Sequence, residues 1–374
     1  MPLEYAGILL SSAAYGKIPT GRTGHEWLMN YEEAGGRYGV IPCYLRLKDI
    51  NPSANECIAY LLYNGRFTRA VIPLPSVIHN RAIHSGRASR QKLAALWKKG
   101  VRIYNLQTRF SKWDIHTILS QHPELSRHVP ATLPLRRSAL QQMMGQYEDL
   151  IIKPCFGSVG KGIMRLQKNG GFWKLQYKQN RQSGTRKQNW VTRYLGMHEA
   201  IHRVGKITRR EPCIIQQTIP LAAQEGRPFD IRMTVQRSYG GGWHLTGMFA
   251  KIAPPYTFVS NVAQGGSVAS VAETLSSALP GLDTRSLISK LRSFALELAE
   301  ALAEKLPHLA DVGLDVGITA KGEFFFIECN GRDLRYGFEQ AGMLREWKMS
   351  YTHPMGYARW LLDQGVQLPH NLPY

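Results

Sequence analysis

The chain has 374 residues, 44% of them hydrophobic, enough for a sizeable core divided over two or three domains. No apolar run approaches roughly 18 residues, and the start Met1-Pro2-Leu3-Glu4-Tyr5 lacks the basic-then-apolar pattern of a secretory signal. A membrane span and an export leader are therefore not expected. Net charge is +20, which favours anionic partners: nucleotides, phosphorylated or carboxylated substrates, nucleic acid or an acidic surface.

In chain order, Tyr5–Leu10 and Tyr38–Leu45 read as strands. Ile58–Tyr63 and Phe67–Ile72 form a hairpin turned by Asn64-Gly65. Arg87–Lys99 is a helix closed by Gly100, and Ser111 caps a second helix with Ile115, Ile118 and Leu119 on one face. The stretch 129–134, with its two prolines, is an extended connector. Leu150–Ile152 is a strand that runs through Lys153-Pro154 into the glycine-rich turn 157–162, and another strand begins at Ile163. Phe172–Tyr177, Cys213–Ile215, Phe229–Arg237 and Trp243–Lys251 are further strands. Arg285–Lys305 is a long amphipathic helix whose buried stripe is Leu287, Leu291, Phe294, Leu298 and Leu302. Val312–Ile318 and Glu323–Cys329 pair across Lys321-Gly322, and two helices close the chain before Pro369. The first hundred residues thus form a small α/β or β-rich unit.

The five cysteines, Cys43, Cys57, Cys155, Cys213 and Cys329, are scattered and free of metal-type pairs, which fits a reducing cytoplasm. Charge is uneven: Arg165 to Arg210 holds twelve Lys or Arg against the single acid Glu199. That segment is either a solvated basic face or an electropositive lid over an anionic ligand.

Phosphate binding needs backbone N–H groups unobstructed by side chains, which Gly157, Gly160 and Gly162 supply. The loop is not a Walker A motif: Cys155 stands where its first glycine belongs, and Gly162 where Ser or Thr belongs. It leads from strand to strand, as a β-hairpin lid does; the plain alternative is an ordinary turn. Lys153, at the end of an apolar strand, is a point charge suited to phosphate oxygens, or else a lysine that snorkels to the surface. Lys112 lies in a helix first turn, where acids are favoured, and so is mildly out of place. Glu328 and Asn330 lie two apart on one strand and face one side, with Asp315 on the neighbouring strand. Carboxylates on apolar strands need a partner or a metal, and hard oxygens suit Mg²⁺ that also touches phosphate. The other reading pairs them with local arginines such as Arg332 and Arg335. Asp230 and Arg232, also two apart, either face a carboxylate- or phosphate-bearing cleft or form an exposed ladder. Lys251, Ser260, Asn261, Gly265, Gly266 and Ser267 are polar and glycine-rich enough to line the same cleft.

The order helix lysine, strand lysine, glycine loop, hinge strand, Asp-x-Arg strand, and a closing pair bearing Asp and Glu-x-Asn resembles the ATP-grasp superfamily. It spans about Lys112 to Leu362. More narrowly the chain resembles the YheC/YheD family of endospore-coat-associated ATP-grasp proteins. The residues that carry this are Phe110-Ser111-Lys112-Trp113, Lys153-Pro154 with the glycine loop, Phe229-Asp230-Ile231-Arg232, Gly313-Leu314-Asp315 and Ile327-Glu328-Cys329-Asn330.

The resemblance implies an α+β ATP-grasp fold at 106–366, with a lid subdomain at about 152–217. It would follow an N-terminal domain at 1–105 and precede a tail at 367–374. It implies ATP between two α+β subdomains, with Lys112 and Lys153 on the α- and β-phosphates and the loop, including Gly157, Ser158 and Gly160, closing over them. The hinge Gln216-Gln217-Thr218-Ile219 would receive the adenine and Asp230 the ribose. Arg232 would steady the γ-phosphate, with Lys251 lining the same cleft. Asp315, Glu328 and Asn330 would hold one or two Mg²⁺, with Mn²⁺ as the alternative ion. Most of the superfamily activates a carboxylate as an acyl phosphate that an amine or thiol attacks. Where many ligases continue with small residues and Pro-Gly, this chain has Gly331-Arg332-Asp333-Leu334-Arg335, and those arginines would clamp an anionic small-molecule or peptide acceptor. A kinase acting on a phosphorylated small molecule and a non-catalytic spore-surface protein are the other two readings. Spore-coat association follows from the family alone, location is otherwise cytoplasmic, and no nucleic-acid recognition module appears.

Overall fold

A computed structural model describes residues 4–157, 160–180 and 188–365; Ser158 and the 367–374 tail lie outside them. Three sheets organise the chain. In the N-terminal sheet, Tyr5–Leu9 runs parallel between Ile41–Leu45 and Val77–Asn80, and Arg102–Tyr104 extends the parallel side. The hairpin Glu56–Tyr63/Arg66–Pro73 adds an antiparallel edge. Its turn residues Asn64 and Gly65 have φ of 46° and 74°, the conformation that favours Asn-Gly in tight hairpins.

One element departs from the sequence pattern. Tyr38 ends a helix, Leu28–Tyr38, instead of starting a strand. Gly39 takes φ 64° and caps that helix through its N–H to the Gly35 carbonyl. Two glycines in its last turn, Gly35 and Gly36, mask the helical pattern. Gly35 is there for packing: a Cβ would stand 2.7 Å from Pro42.

The middle sheet has six antiparallel strands, in the order 188–195, 172–180, 164–169, 149–154, 213–217 and 132–134. Pro134 is tolerated because its strand is at the edge. Helices Arg137–Gln146 and Met197–Thr208, which sequence reasoning did not assign, cover its core face through Leu140, Met143, Met144, Ile201 and Val204.

The C-terminal sheet runs 267–269, 243–252, 227–237, 311–318 and 324–330, all antiparallel, with Ala223–Gln224 paired to the third of these. Phe229, Ile231, Met233 and Val235 alternate into a core with Val312, Leu314, Val316 and Ile318. Helix Thr284–Lys305 covers that core with all five expected stripe residues buried, and Asp283 caps its start. The opposite face therefore carries Asp230, Arg232, Thr234 and Gln236 beside Asp311, Gly313, Asp315 and Gly317.

The last helix, Leu344–Asp363, packs into the N-terminal core with Tyr351, Met355 and Ala358. Pro354 within it has no N–H for the Ser350 carbonyl, which instead accepts a 2.9 Å hydrogen bond from the Gln236 side chain. Among the described residues no helix is long and apolar enough to cross a membrane.

Candidate active site

The polar face of the C-terminal sheet and the middle sheet enclose a cavity of about 630 Å³. Lys112, Lys153, Gly160, Gln216, Gln217, Ile219, Asp230, Lys251, Asp315 and Glu328 all line it. Residues up to 216 apart in sequence thus line one cavity.

Lys153 is 8% exposed and donates to Gln216 Oε1 at 2.7 Å, while Gln216 Nε2 donates to Thr132 Oγ1. Burial first, then the nearby charge of Lys112, lowers its pKa to about 8, although Glu328, Asp230 and Asp315 pull the other way. It is a buried ammonium facing the cavity, not a snorkelling surface lysine. Lys112 follows the cap Ser111 and reaches across the cavity to Glu328 Oε1 and the Gly157 carbonyl, both at 2.9 Å. Its odd position in a helix first turn is explained by that reach. Gly160 and Gly162 have φ of 67° and 71°, so glycine is required in the loop.

Asp315 is the electrostatic centre. Arg232 donates to both its oxygens, at 2.6 and 3.2 Å, and Lys251 Nζ lies 2.9 Å away. Burial alone would raise its pKa, but Arg232 and Lys251 outweigh burial and hold it well below the usual carboxylate range. Lys251 also lies 2.9 Å from Asp230, which accepts from Ser260 Oγ as well. The Asp-x-Arg pair is therefore buried in the cleft, not a ladder on an exposed face.

Glu328 stands opposite Asp315 and Asn330 opposite Gly313. A bulge makes this possible. Val316, opposite Phe326, faces the core, whereas Asp315, opposite Glu328, faces the cleft. Phe326 and Glu328 are two apart yet on opposite faces, because Ile327 is inserted between them. Asn330 Nδ2 is buried with no hydrogen-bond partner.

A second cavity, about 320 Å³, shares Lys112, Gln216, Asp315 and Glu328 with the first and adds Gly157, Arg232, Asn330 and Arg332. The 331–335 segment divides in two. Arg332 lines this cavity, with Nε buried and unpartnered and its Nη2 no nearer than 4.0 Å to Glu26. Arg335, expected as a second clamp, is instead fully buried. It is bonded to Asp311 and the Tyr31 hydroxyl at 2.9 Å and stacked on Tyr351. Neither arginine pairs with Asp315 or Glu328.

Sequence reasoning missed Asp333, Asp149 and Arg165. Asp333 accepts from Arg232 Nη1 at 2.8 Å and from Thr234 Oγ1. Asp149 and Arg165, paired at 2.5 Å, form the cavity's outer wall beside Phe258. Asp149 also accepts from Thr218 Oγ1 at the hinge, at 2.8 Å.

Two α+β units that grip a cleft from a glycine hairpin on one side and an acidic strand pair on the other define an ATP-grasp protein. The fold matches that of the D-cycloserine synthetase DcsG with a TM-score of 0.52 at 12% identity, covering 94% of this chain and 99% of that one. The YheC/D-like ATP-grasp family model matches residues 100–361, and the chain belongs to that family. It is 22% identical over 348 residues to the endospore coat-associated protein YheD of Bacillus subtilis (strain 168), covering 91% of this chain and 74% of that protein. It is 20% identical over 330 residues to YheC of the same strain, covering 85% and 87%.

Proposed function

We propose that the larger cavity binds ATP with Mg²⁺ and that the chain joins a carboxylate to an amine through an acyl phosphate. The observation that carries this reading is the junction of the two cavities at Lys112, Asp315 and Glu328, with a cationic phosphate end on one side and Arg332 on the other. In this reading Lys153 and Lys112 bind the α- and β-phosphates, and the 157–162 loop covers them. Gln216, Gln217 and Ile219 receive the base. Asp230 serves the ribose by position, although Lys251 and Ser260 already engage its carboxylate. Arg232 and Lys251 neutralise the transferring phosphoryl group, and Arg332 holds the acceptor.

The residues present fit a magnesium ion. Among the described residues no three His, Cys, Asp or Glu side chains form a metal cluster. The donors would be Asp315, Glu328 and Asn330, two carboxylates and an amide oxygen, a hard set that relies on phosphate oxygens to complete it, with Arg232 and Lys251 already on Asp315 and Lys112 on Glu328. Bound there, the ion would neutralise charge on the phosphates. In this reading Lys112, which now bonds Glu328, would turn to the phosphates and leave that carboxylate for the ion. The carboxylate substrate's oxygen attacks the γ-phosphorus as ADP leaves. The amine then attacks the acyl carbon, phosphate departs, and the amine gives up a proton. A cytoplasmic enzyme associated with the spore coat is part of this proposal, on the likeness to YheD and YheC.

Calorimetric titration with a non-hydrolysable ATP analogue, with and without Mg²⁺, tests it. Tight, magnesium-dependent binding is expected, and Lys153→Ala should weaken it at least tenfold. No binding in either condition would leave a scaffold without nucleotide chemistry. Released ADP without released phosphate on a productive acceptor would indicate a kinase instead.

A further inference from the structure

The second cavity does not end at Arg332. Ile83, Thr108, Arg109 and Phe110 belong both to it and to a third cavity of about 490 Å³, between the N-terminal unit and the end of helix Thr284–Lys305. A volume of that order accommodates a drug-sized molecule.

The chemistry of this space differs from that of the phosphate end. Its walls include Leu93, Leu106, Phe110, Leu306 and Leu309, and at its edge Ile83 and Phe156 remain 48% and 47% exposed. Among the described residues no carboxylate lines it, whereas Arg90 and Arg109 do. The Arg109 guanidinium lies 5.8 Å from the Phe156 ring centroid, is exposed, and has no carboxylate partner among the described residues. The Nε2 atoms of His84 and His308 are buried in the wall without hydrogen-bond partners. Arg90 donates to the Ser85 carbonyl at 3.0 Å but, like Arg109, pairs with no carboxylate among the described residues. An apolar space edged by such cations and open to a reaction cavity calls for an occupant that is apolar along its body and anionic. Phe156 precedes Gly157, whose carbonyl receives Lys112, so an occupant here touches the loop that covers the phosphates.

We infer that the third cavity is a specificity subsite for the non-reacting part of the ligase substrate, which is therefore an elongated, anionic molecule with an apolar chain. This rests on the ligase reading of the adjoining cavities. Binding energy from such a remote segment can be spent on orienting the reacting carboxylate.

The test uses the full chain and the anionic fluorophore 1-anilinonaphthalene-8-sulfonate. Saturable one-site binding is expected. Ser85→Trp at the cavity wall, and independently Arg109→Glu, should each weaken it about tenfold while leaving affinity for the ATP analogue unchanged. N-octanoylglycine and the peptide Leu-Leu-Gly should displace the dye and N-acetylglycine should not; the better of the two competitors distinguishes an acyl chain from a peptide. Dye binding indifferent to both variants, or equal displacement by N-acetylglycine, overturns the inference while the nucleotide site stands. Cavity binding in a protein that binds no ATP analogue overturns the ligase reading, and with it the substrate role of the subsite.

Discussion

Arg232 is fixed from three directions: Asp315 takes Nε and Nη2, and Asp333 takes Nη1. Asp333 can approach only because position 313 is glycine, since a Cβ there would stand 2.5 Å from Asp333 Oδ1. Gly313→Ala should therefore push Asp333 off Arg232 and lower stability by about 1–3 kcal/mol, the range for overpacking a buried site. Gly36 is the control: it lies in a helix with nothing within 4 Å of its would-be Cβ, so Gly36→Ala should raise stability by about 0.5–1 kcal/mol. Urea titration of both variants decides it, and equal effects would remove the steric argument. Lys153 shows the cost of a functional charge. With its pKa lowered to about 8 by burial, the folded chain binds a proton less readily than the unfolded chain up to its ordinary value of 10.5. This contribution to stability is complete above 10.5 and is lost as pH falls through about 8. Without nucleotide, Lys153→Met should therefore be more stable than the parent at pH 7, with the difference narrowing by pH 10. A destabilised Met variant at pH 7 would show that the ammonium is compensated by its Gln216 contact.

At the scale of elements, what the sequence makes legible is what periodicity and turn chemistry encode locally. The Asn64-Gly65 hairpin, the stripe of Thr284–Lys305, and the strand–loop–strand path through Lys153 and Gly157 depend on neighbours in the chain. So does the alternation that sends Asp230 and Arg232 to one face. What is not legible depends on partners far away. Leu28–Tyr38 is a helix because its buried face meets the last helix, more than 300 residues on, while Gly35 and Gly36 weaken its local signal. The bulge at Ile327 exists only against Asp315 and Val316, yet it turns Glu328 into the cleft. Strict two-residue alternation would place Glu328 with Phe326 in the core. The Asp149–Arg165 pair follows from a strand register that residue types alone do not fix. Arg332 and Arg335 look equivalent in sequence, and only the fold separates a cavity cation from a buried strut.

Across the whole molecule, the N-terminal unit is joined to the C-terminal sheet by a buried charge cluster. Arg81 bonds Glu26 and Asp311, and Arg335 bonds Asp311 from the other side, with His79 3.3 Å from the same carboxylate. Asp311 is held far below the usual carboxylate range: burial opposes this, but Arg335, His79 and Arg81 prevail. Its stabilisation is present above its unfolded pKa and is lost only in strong acid. The histidines act at milder pH. Burial lowers His79, His308 and His353 to about 4, assisted at His308 by Arg102. Between about 6.5 and 4 the unfolded chain takes up protons that the folded chain refuses. The stability these groups contribute is complete above 6.5 and lost as pH falls through 4, each adding a slope of at most about 1.4 kcal/mol per pH unit. Glu32 works against them: burial raises its carboxyl to about 7, so it adds stability as pH falls below 7. With three histidines against that one carboxyl, the urea midpoint should still fall between pH 6.5 and pH 4. His308→Phe keeps an aromatic ring edge-on to Trp97, now 4.1 Å between centroids, and buries no ring nitrogen. It should flatten part of that fall with little change at pH 7. A parent chain whose urea midpoint is level from pH 7 to 4.5, or a variant that follows the parent curve, would show that these histidines do not set its acid limit.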